Sequence, residues 1–110
     1  MSAGEPLPAA VATAWTERTG VRIIDGIGST EMLHIFIGSP VEESRPGSVG
    51  RPVPGYEADN AMHPVAPGVV GRLAVRGPTG CRYLDDPRQS EYVVDGWNVT
   101  GDTFRSDGDG

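Results

Sequence analysis

The chain has 110 residues, 37% of them hydrophobic and 22% charged, which suits one small domain with a modest core. A net charge of -6 leaves too little clustered Lys or Arg for a phosphate backbone or an anionic bilayer surface, so neither nucleic acid nor membrane is an expected partner. The 16 glycines and 10 prolines predict many turns, and the single cysteine, Cys81, excludes an internal disulfide and a multi-cysteine metal site, as in a reducing, cytoplasmic setting.

From Pro8 to Thr19, Val11, Ala14, Trp15 and Arg18 fall at helical spacing, Pro8 suits a first turn and Gly20 a stop, which predicts a helix with Trp15 in its core. Val21 to Ile24 is short, apolar and β-branched, the texture of a buried parallel strand, and runs into a glycine-rich segment where such a strand would present a ligand. The apolar stretch Met32 to Ile37 contains His34 and is far too short to span a bilayer. A surface loop is expected between Gly38 and Gly47, where Glu42, Glu43, Ser44, Arg45 and Pro46 cluster. Beyond it, Ser48 to Val53, Gly55 to Asp59, Val70 to Arg76 and Trp97 to Arg105 read as strands separated by Pro/Gly turns. The expected fold class is α+β: one helix and a short parallel strand, then a small distorted antiparallel β-barrel. Residues 1–40 would end an α/β subdomain, and residues 41–110 would form the barrel.

Asp25-Gly26-Ile27-Gly28-Ser29-Thr30-Glu31 is the most informative segment. Glycines allow close backbone approach, N–H groups with Ser and Thr hydroxyls can cradle phosphate oxygens, and Glu31 is a hard oxygen ligand for Mg²⁺. Gly-x-Gly before polar residues is also a common turn. The segment is neither a Walker loop nor a dinucleotide fingerprint, since no Gly-Lys-Ser/Thr and no third glycine follow. Thr100-Gly101-Asp102 places a carboxylate where it could accept both ribose hydroxyls, or simply makes a surface turn. His34 is either a hydrogen-bonded core histidine or a residue near substrate. His63 is expected to be exposed in a hairpin, Cys81 to be a structural thiol, and Asp85, Asp86, Arg88 and Glu91 to be a solvated face.

Four blocks in order, Ser2 to Pro8 (SAGEPLP), Asp25 to Glu31 (DGIGSTE), Gly71 to Gly77 (GRLAVRG) and Trp97 to Asp102 (WNVTGD), resemble core motifs of the acyl-adenylate-forming superfamily. Asp25 to Phe36, Val53 to Tyr56 and Gly77 to Tyr83 (GPTGCRY) are most similar to benzoate-CoA ligases, the last to 2-aminobenzoate-CoA ligases. The resemblance implies an enzyme that activates an aromatic carboxylate with Mg²⁺ and ATP as an acyl-adenylate and passes it to CoA. It implies that Gly4, Glu5 and Pro6 border the adenine and that Asp25, Gly26, Ile27, Gly28 and Ser29 run along adenine and aryl ring. Thr30 would meet the α-phosphate, Glu31 would hold Mg²⁺, Asp102 would grip the ribose, and Gly26, Gly28 and His34 would face the substrate. It also implies a larger AMP-binding domain, with a phosphate loop upstream, a catalytic lysine downstream, and both ends of this chain cut. On that reading the chain alone is inactive and can self-associate through apolar surface exposed around Trp15, Ile23 and Ile24; the alternatives are a non-catalytic nucleotide-binding module and a purely structural piece.

Overall fold

The computed structural model describes residues 1–60 and 66–107. Helix α1 (Ala9–Thr19) starts after Pro8 and ends at Gly20, whose φ of 70° is the left-handed conformation that glycine adopts without strain, with its N–H donating to the Thr16 carbonyl. The start and stop signals therefore act as predicted. The assignment of Trp15 to a helix core does not hold: Trp15 is 49% exposed and no residue of α1 is buried.

Val21 to Ile24 is not a strand. The Ser2 N–H donates to the Ile24 carbonyl and Ser2 forms a single parallel bridge with Asp25, too short a partner to sustain a ladder. The chain becomes extended one step later. Strand β1 (Gly26–Ser29) pairs antiparallel with β2 (His34–Gly38) across the turn at 30–33, and β2 pairs with β3 (Arg51–Pro52). The glycine-rich segment is thus mostly a strand, with a register shift between Ile27 and Gly28.

The second sheet has the order β4 (Glu57–Asn60), β5 (Val70–Arg76), β7 (Trp97–Arg105) and β6 (Val93–Val94), all antiparallel, with the short helix α2 (Gln89–Tyr92) leading into β6. β5 and β7 occupy the spans that the sequence predicted. The predicted barrel is not closed: among the described residues the strands form two open sheets of three and four. Closure needs edge strands to pair, and β3, only two residues long, does not join β4.

The two sheets share one core. Phe36 and Ile37 of β2, Met32 from the hairpin turn, and Leu73 and Val75 of β5 are buried together, with Ile27, Val49, Tyr56, Ala58 and Phe104 packed around them. Alternation explains the choice, since Leu73 and Val75 lie two apart on one face of β5. Two polar residues are buried on β7 with hydrogen-bond partners: Asn98 Nδ2 donates to the Val75 carbonyl and the Thr100 hydroxyl to the Leu73 carbonyl. No helix in the described residues is long and apolar enough to cross a membrane.

Candidate functional site

Asp25 organises the near side of the site. Its Oδ2 accepts the Leu7 N–H at 3.1 Å and its Oδ1 accepts the Gly26 N–H at 3.1 Å, which ties the turn at Gly4 to Pro6 against the start of β1. The far side is built by an irregularity in β7. Arg72 pairs with Thr103 and Ala74 with Val99, so Leu73 alone faces Thr100, Gly101 and Asp102, and the extra residues bulge out of the ladder. The buried Thr100 hydroxyl anchors that bulge, donating to the Leu73 carbonyl at 3.0 Å while accepting the Asp102 N–H at 3.2 Å. The Asp102 side chain is left exposed to solvent. Re-aiming a side chain beside a binding cleft is a common use of such bulges.

Between these two sides lies a cavity of about 270 Å³ lined by Gly4, Glu5, Pro6, Asp25, Gly26, Ile27, Gly28, Val49, Asp102 and Thr103. Four parts of the chain that are far apart in sequence meet here. Val49 and Thr103 were not singled out in the sequence; neither carries a polar motif, and only the fold brings them to the wall. Gly26 and Gly28 have a reason to be glycine besides any ligand, because a Cβ on Gly28 would stand 2.6 Å from the His34 carbonyl oxygen and one on Gly26 2.9 Å from that of Ile37.

Ser29, Thr30, Glu31 and His34 do not line this cavity; they lie at the other end of the β1–β2 hairpin. The Ser29 hydroxyl accepts the Met32 N–H at 3.2 Å, and the Thr30 carbonyl accepts the Leu33 N–H at 3.2 Å. His34 is not a core histidine. It is exposed at the start of β2, where the chain has just left the turn, with Nδ1 2.6 Å from the Ile35 carbonyl oxygen. His63 lies outside the described residues, and so does the end of the chain from 108 onward. Cys81 is half-buried and unpaired.

At Glu31 the structure adds a partner that no sequence spacing suggested. The Tyr83 hydroxyl donates to Glu31 Oε1 at 2.8 Å across a separation of 52 residues. The Glu31 carboxyl is held below its usual range, first by its own backbone N–H and then by Tyr83, and the Tyr83 hydroxyl is pushed up because it donates to that carboxylate. Among the described residues no three His, Cys, Asp or Glu side chains could together hold a metal. One ionised carboxylate nevertheless fits Mg²⁺, which is commonly held by one or two carboxylates with the remaining positions filled by water and substrate phosphate. The signs of the shifts fix a pH window. A depressed carboxyl stabilises above its ordinary pKa and loses that contribution as pH falls through the lowered value, whereas a raised tyrosine stabilises below about 10 and loses it as pH rises through its raised value. The stability difference between the wild-type chain and Tyr83→Phe is therefore expected to be flat from about pH 6 to 9 and to shrink on both sides. Urea titrations at pH 3, 7 and 11 check this; a difference independent of pH would contradict it.

The family model for the AMP-binding enzyme matches residues 1–83. The chain belongs to the AMP-binding enzyme family. It is 42% identical to benzoate–CoA ligase of Thauera aromatica, over 94% of this chain and 21% of that enzyme. It is 39% identical to 3-hydroxybenzoate–CoA ligase of Aromatoleum sp. (strain CIB), over 100% of this chain and 22% of that enzyme. Among solved structures, that of the anthranilate CoA ligase AuaEII in complex with anthranoyl-AMP superposes with a TM-score of 0.92 at 43% identity, covering 99% of this chain and 22% of the other. The chain thus spans about a fifth of the length of these relatives.

Proposed function

We propose that the chain supplies the adenosine-facing and metal-facing part of an ATP-dependent aryl-carboxylate:CoA ligase, and that by itself it binds nucleotide without turning it over. The observation that carries this reading is the convergence of Gly4 to Pro6, Asp25 to Gly28 and Asp102 on one cavity. The similarity to a ligase whose structure contains anthranoyl-AMP supports it. In the whole enzyme a carboxylate oxygen of the aromatic acid attacks the α-phosphorus of ATP, the bond to the bridging oxygen breaks, and pyrophosphate leaves. The CoA thiol then attacks the acyl carbon and AMP departs. In this reading Asp102 accepts hydrogen bonds from the ribose hydroxyls, charge-assisted contacts that set the sugar's position. Gly4 to Pro6 border the adenine, Asp25 to Ser29 run along the adenine and the aryl ring with Gly26 and Gly28 leaving room for the latter, and Thr30 donates to the α-phosphate. Bound at Glu31, Mg²⁺ would neutralise phosphate charge. His34 opens toward the substrate end of the hairpin, and an aromatic acid of the benzoate or 2-aminobenzoate class is the proposed substrate. Both sheets belong to one larger AMP-binding domain, as their shared core suggests.

Calorimetric titration of the 110-residue chain with AMP tests this reading. Binding in the millimolar range or tighter is expected, weakened roughly tenfold to a hundredfold in Asp102→Ala through loss of one to two charge-assisted bonds. Carboxylate-dependent ATP/pyrophosphate exchange by the chain alone is expected to be undetectable. Robust exchange would overturn the view that the chemistry needs more of the protein. Absence of AMP binding would favour a structural piece that self-associates through exposed apolar side chains; Val11, Trp15 and Val21 are exposed, whereas Ile23 and Ile24 are only half-buried.

A further inference from the structure

Resting on the reading of Glu31 as the cation ligand, we infer that Tyr83 is a positioning residue that fixes the Glu31 carboxylate for the cation through the bond from its hydroxyl to Oε1. The hydroxyl meets Oε1 at 2.8 Å, and the residue is itself held at three further points, one on its backbone and two on its ring. The Tyr83 N–H donates to Gln89 Oε1 at 2.7 Å. The Tyr92 ring stands edge-on to it, 5.6 Å between centroids at 80°. The Arg88 guanidinium lies 4.8 Å from its centroid, gripped by Asp86 through Nη2 to Oδ2 at 2.6 Å and Nε to Oδ2 at 2.9 Å.

Glu31 needs such help because of where it sits. It belongs to a turn whose next residues diverge, Met32 going into the core while Leu33 is 75% exposed at a φ of 60°. A glutamate there has three side-chain torsions to order before it can hold an ion, whereas a tyrosine has two and these are already packed. A phenol hydroxyl donates to the carboxylate without adding charge, so it restrains one oxygen and does not repel a cation at the other. Hydrogen bonds to a ligating carboxylate from outside the coordination sphere commonly govern metal affinity by tenfold to a hundredfold. The solvated face made by Asp86 and Arg88 thereby acquires a role at one remove, as the clamp on Tyr83.

The test uses the 110-residue chain with Mn²⁺ and ATP as the probe, the ternary complex followed by water-proton relaxation, beside metal-free AMP affinity from calorimetry. Glu31→Gln is expected to abolish the metal-dependent complex. Tyr83→Phe, which keeps the ring and its packing, should weaken that complex about tenfold while metal-free AMP affinity stays within about twofold. Arg88→Met, which retains the hydroxyl but frees the ring, should give a smaller loss in the same direction, and it decides the matter if Tyr83→Phe does not fold. A Tyr83→Phe chain that holds Mn²⁺ and ATP like the wild type, while Glu31→Gln does not, would overturn the positioning role and leave the site reading standing. Equal losses for AMP and for the metal complex would show a structural role instead and also overturn it. A wild-type chain indistinguishable from Glu31→Gln would remove the cation site and the inference with it.

Discussion

Phe36→Ala is expected to leave the chain without a cooperative unfolding transition at 37 °C. Phe36 is fully buried and shares one core cluster with Met32, Ile37, Leu73 and Val75, and its ring lies 6.4 Å from that of Tyr56. Its carbonyl also accepts the Val53 N–H at 2.9 Å, the link that carries the chain from the first sheet toward the second. Truncating a buried phenylalanine to alanine costs about 3–5 kcal/mol, and domains of this size have only about 5–15 kcal/mol in total. With five residues forming the buried apolar cluster and α1 contributing none, little remains to absorb the loss. Near-ultraviolet circular dichroism during a urea titration reads the result. Phe36→Leu, which keeps most of the volume, should cost less than about 1.5 kcal/mol. An alanine variant with the wild-type midpoint would show that the two sheets do not depend on this contact.

Gly28→Ala is expected to destabilise the chain by about 1–3 kcal/mol or more, the range for forcing an extra carbon into packed structure. The new methyl would stand 2.6 Å from the His34 carbonyl oxygen and 3.0 Å from Ile35 Cδ1, and the first of these is backbone that cannot swing aside. Relief requires β1 and β2 to separate at the point where their register already shifts, between Ile27 and Gly28. That separation would also move one wall of the 270 Å³ cavity, so AMP affinity should fall together with stability. Gly47→Ala serves as a control in part, since it has open space at Cβ but a φ of 83°, and so measures backbone strain without a clash. A Gly28→Ala chain as stable as the wild type, yet weaker for AMP, would mean that the glycine is required by the ligand alone.

Much of the local structure could be read directly. Helix α1 ended where Gly20 said it would, and β5 and β7 matched the spans whose apolar residues alternate between turn signals. Those signals are short-range, set by φ preferences and by side-chain periodicity within a few residues. Where the reading failed, pairing partners were the missing quantity. Val21 to Ile24 has the composition of a strand but finds no ladder among the described residues, only the Ser2 N–H on the Ile24 carbonyl, while Gly26 to Ser29 has poor strand composition and becomes β1 because β2 folds back against it. Strand propensity is largely a statement about neighbours, and two glycines are acceptable there because the approach of β2 leaves no room for anything else. The same cause undid the barrel, since closure depends on whether distant edges meet.

The sequence by itself determined the family and the inventory of the candidate site: the turn at Gly4 to Pro6, the glycine-rich segment, and the carboxylates Glu31 and Asp102 are recognisable as ordered blocks whose chemistry suits a nucleotide and its cation. Only the tertiary structure decided how these divide. It gathered Gly4 to Pro6, Asp25 to Gly28 and Asp102 around one cavity, set Thr30 and Glu31 at the opposite end of the hairpin, decided against a core position for His34, and gave Glu31 a partner in Tyr83. The physical reason is that residue chemistry is local to the chain, whereas a hydrogen bond across 52 residues exists only after loop closure and core packing have brought its two ends together.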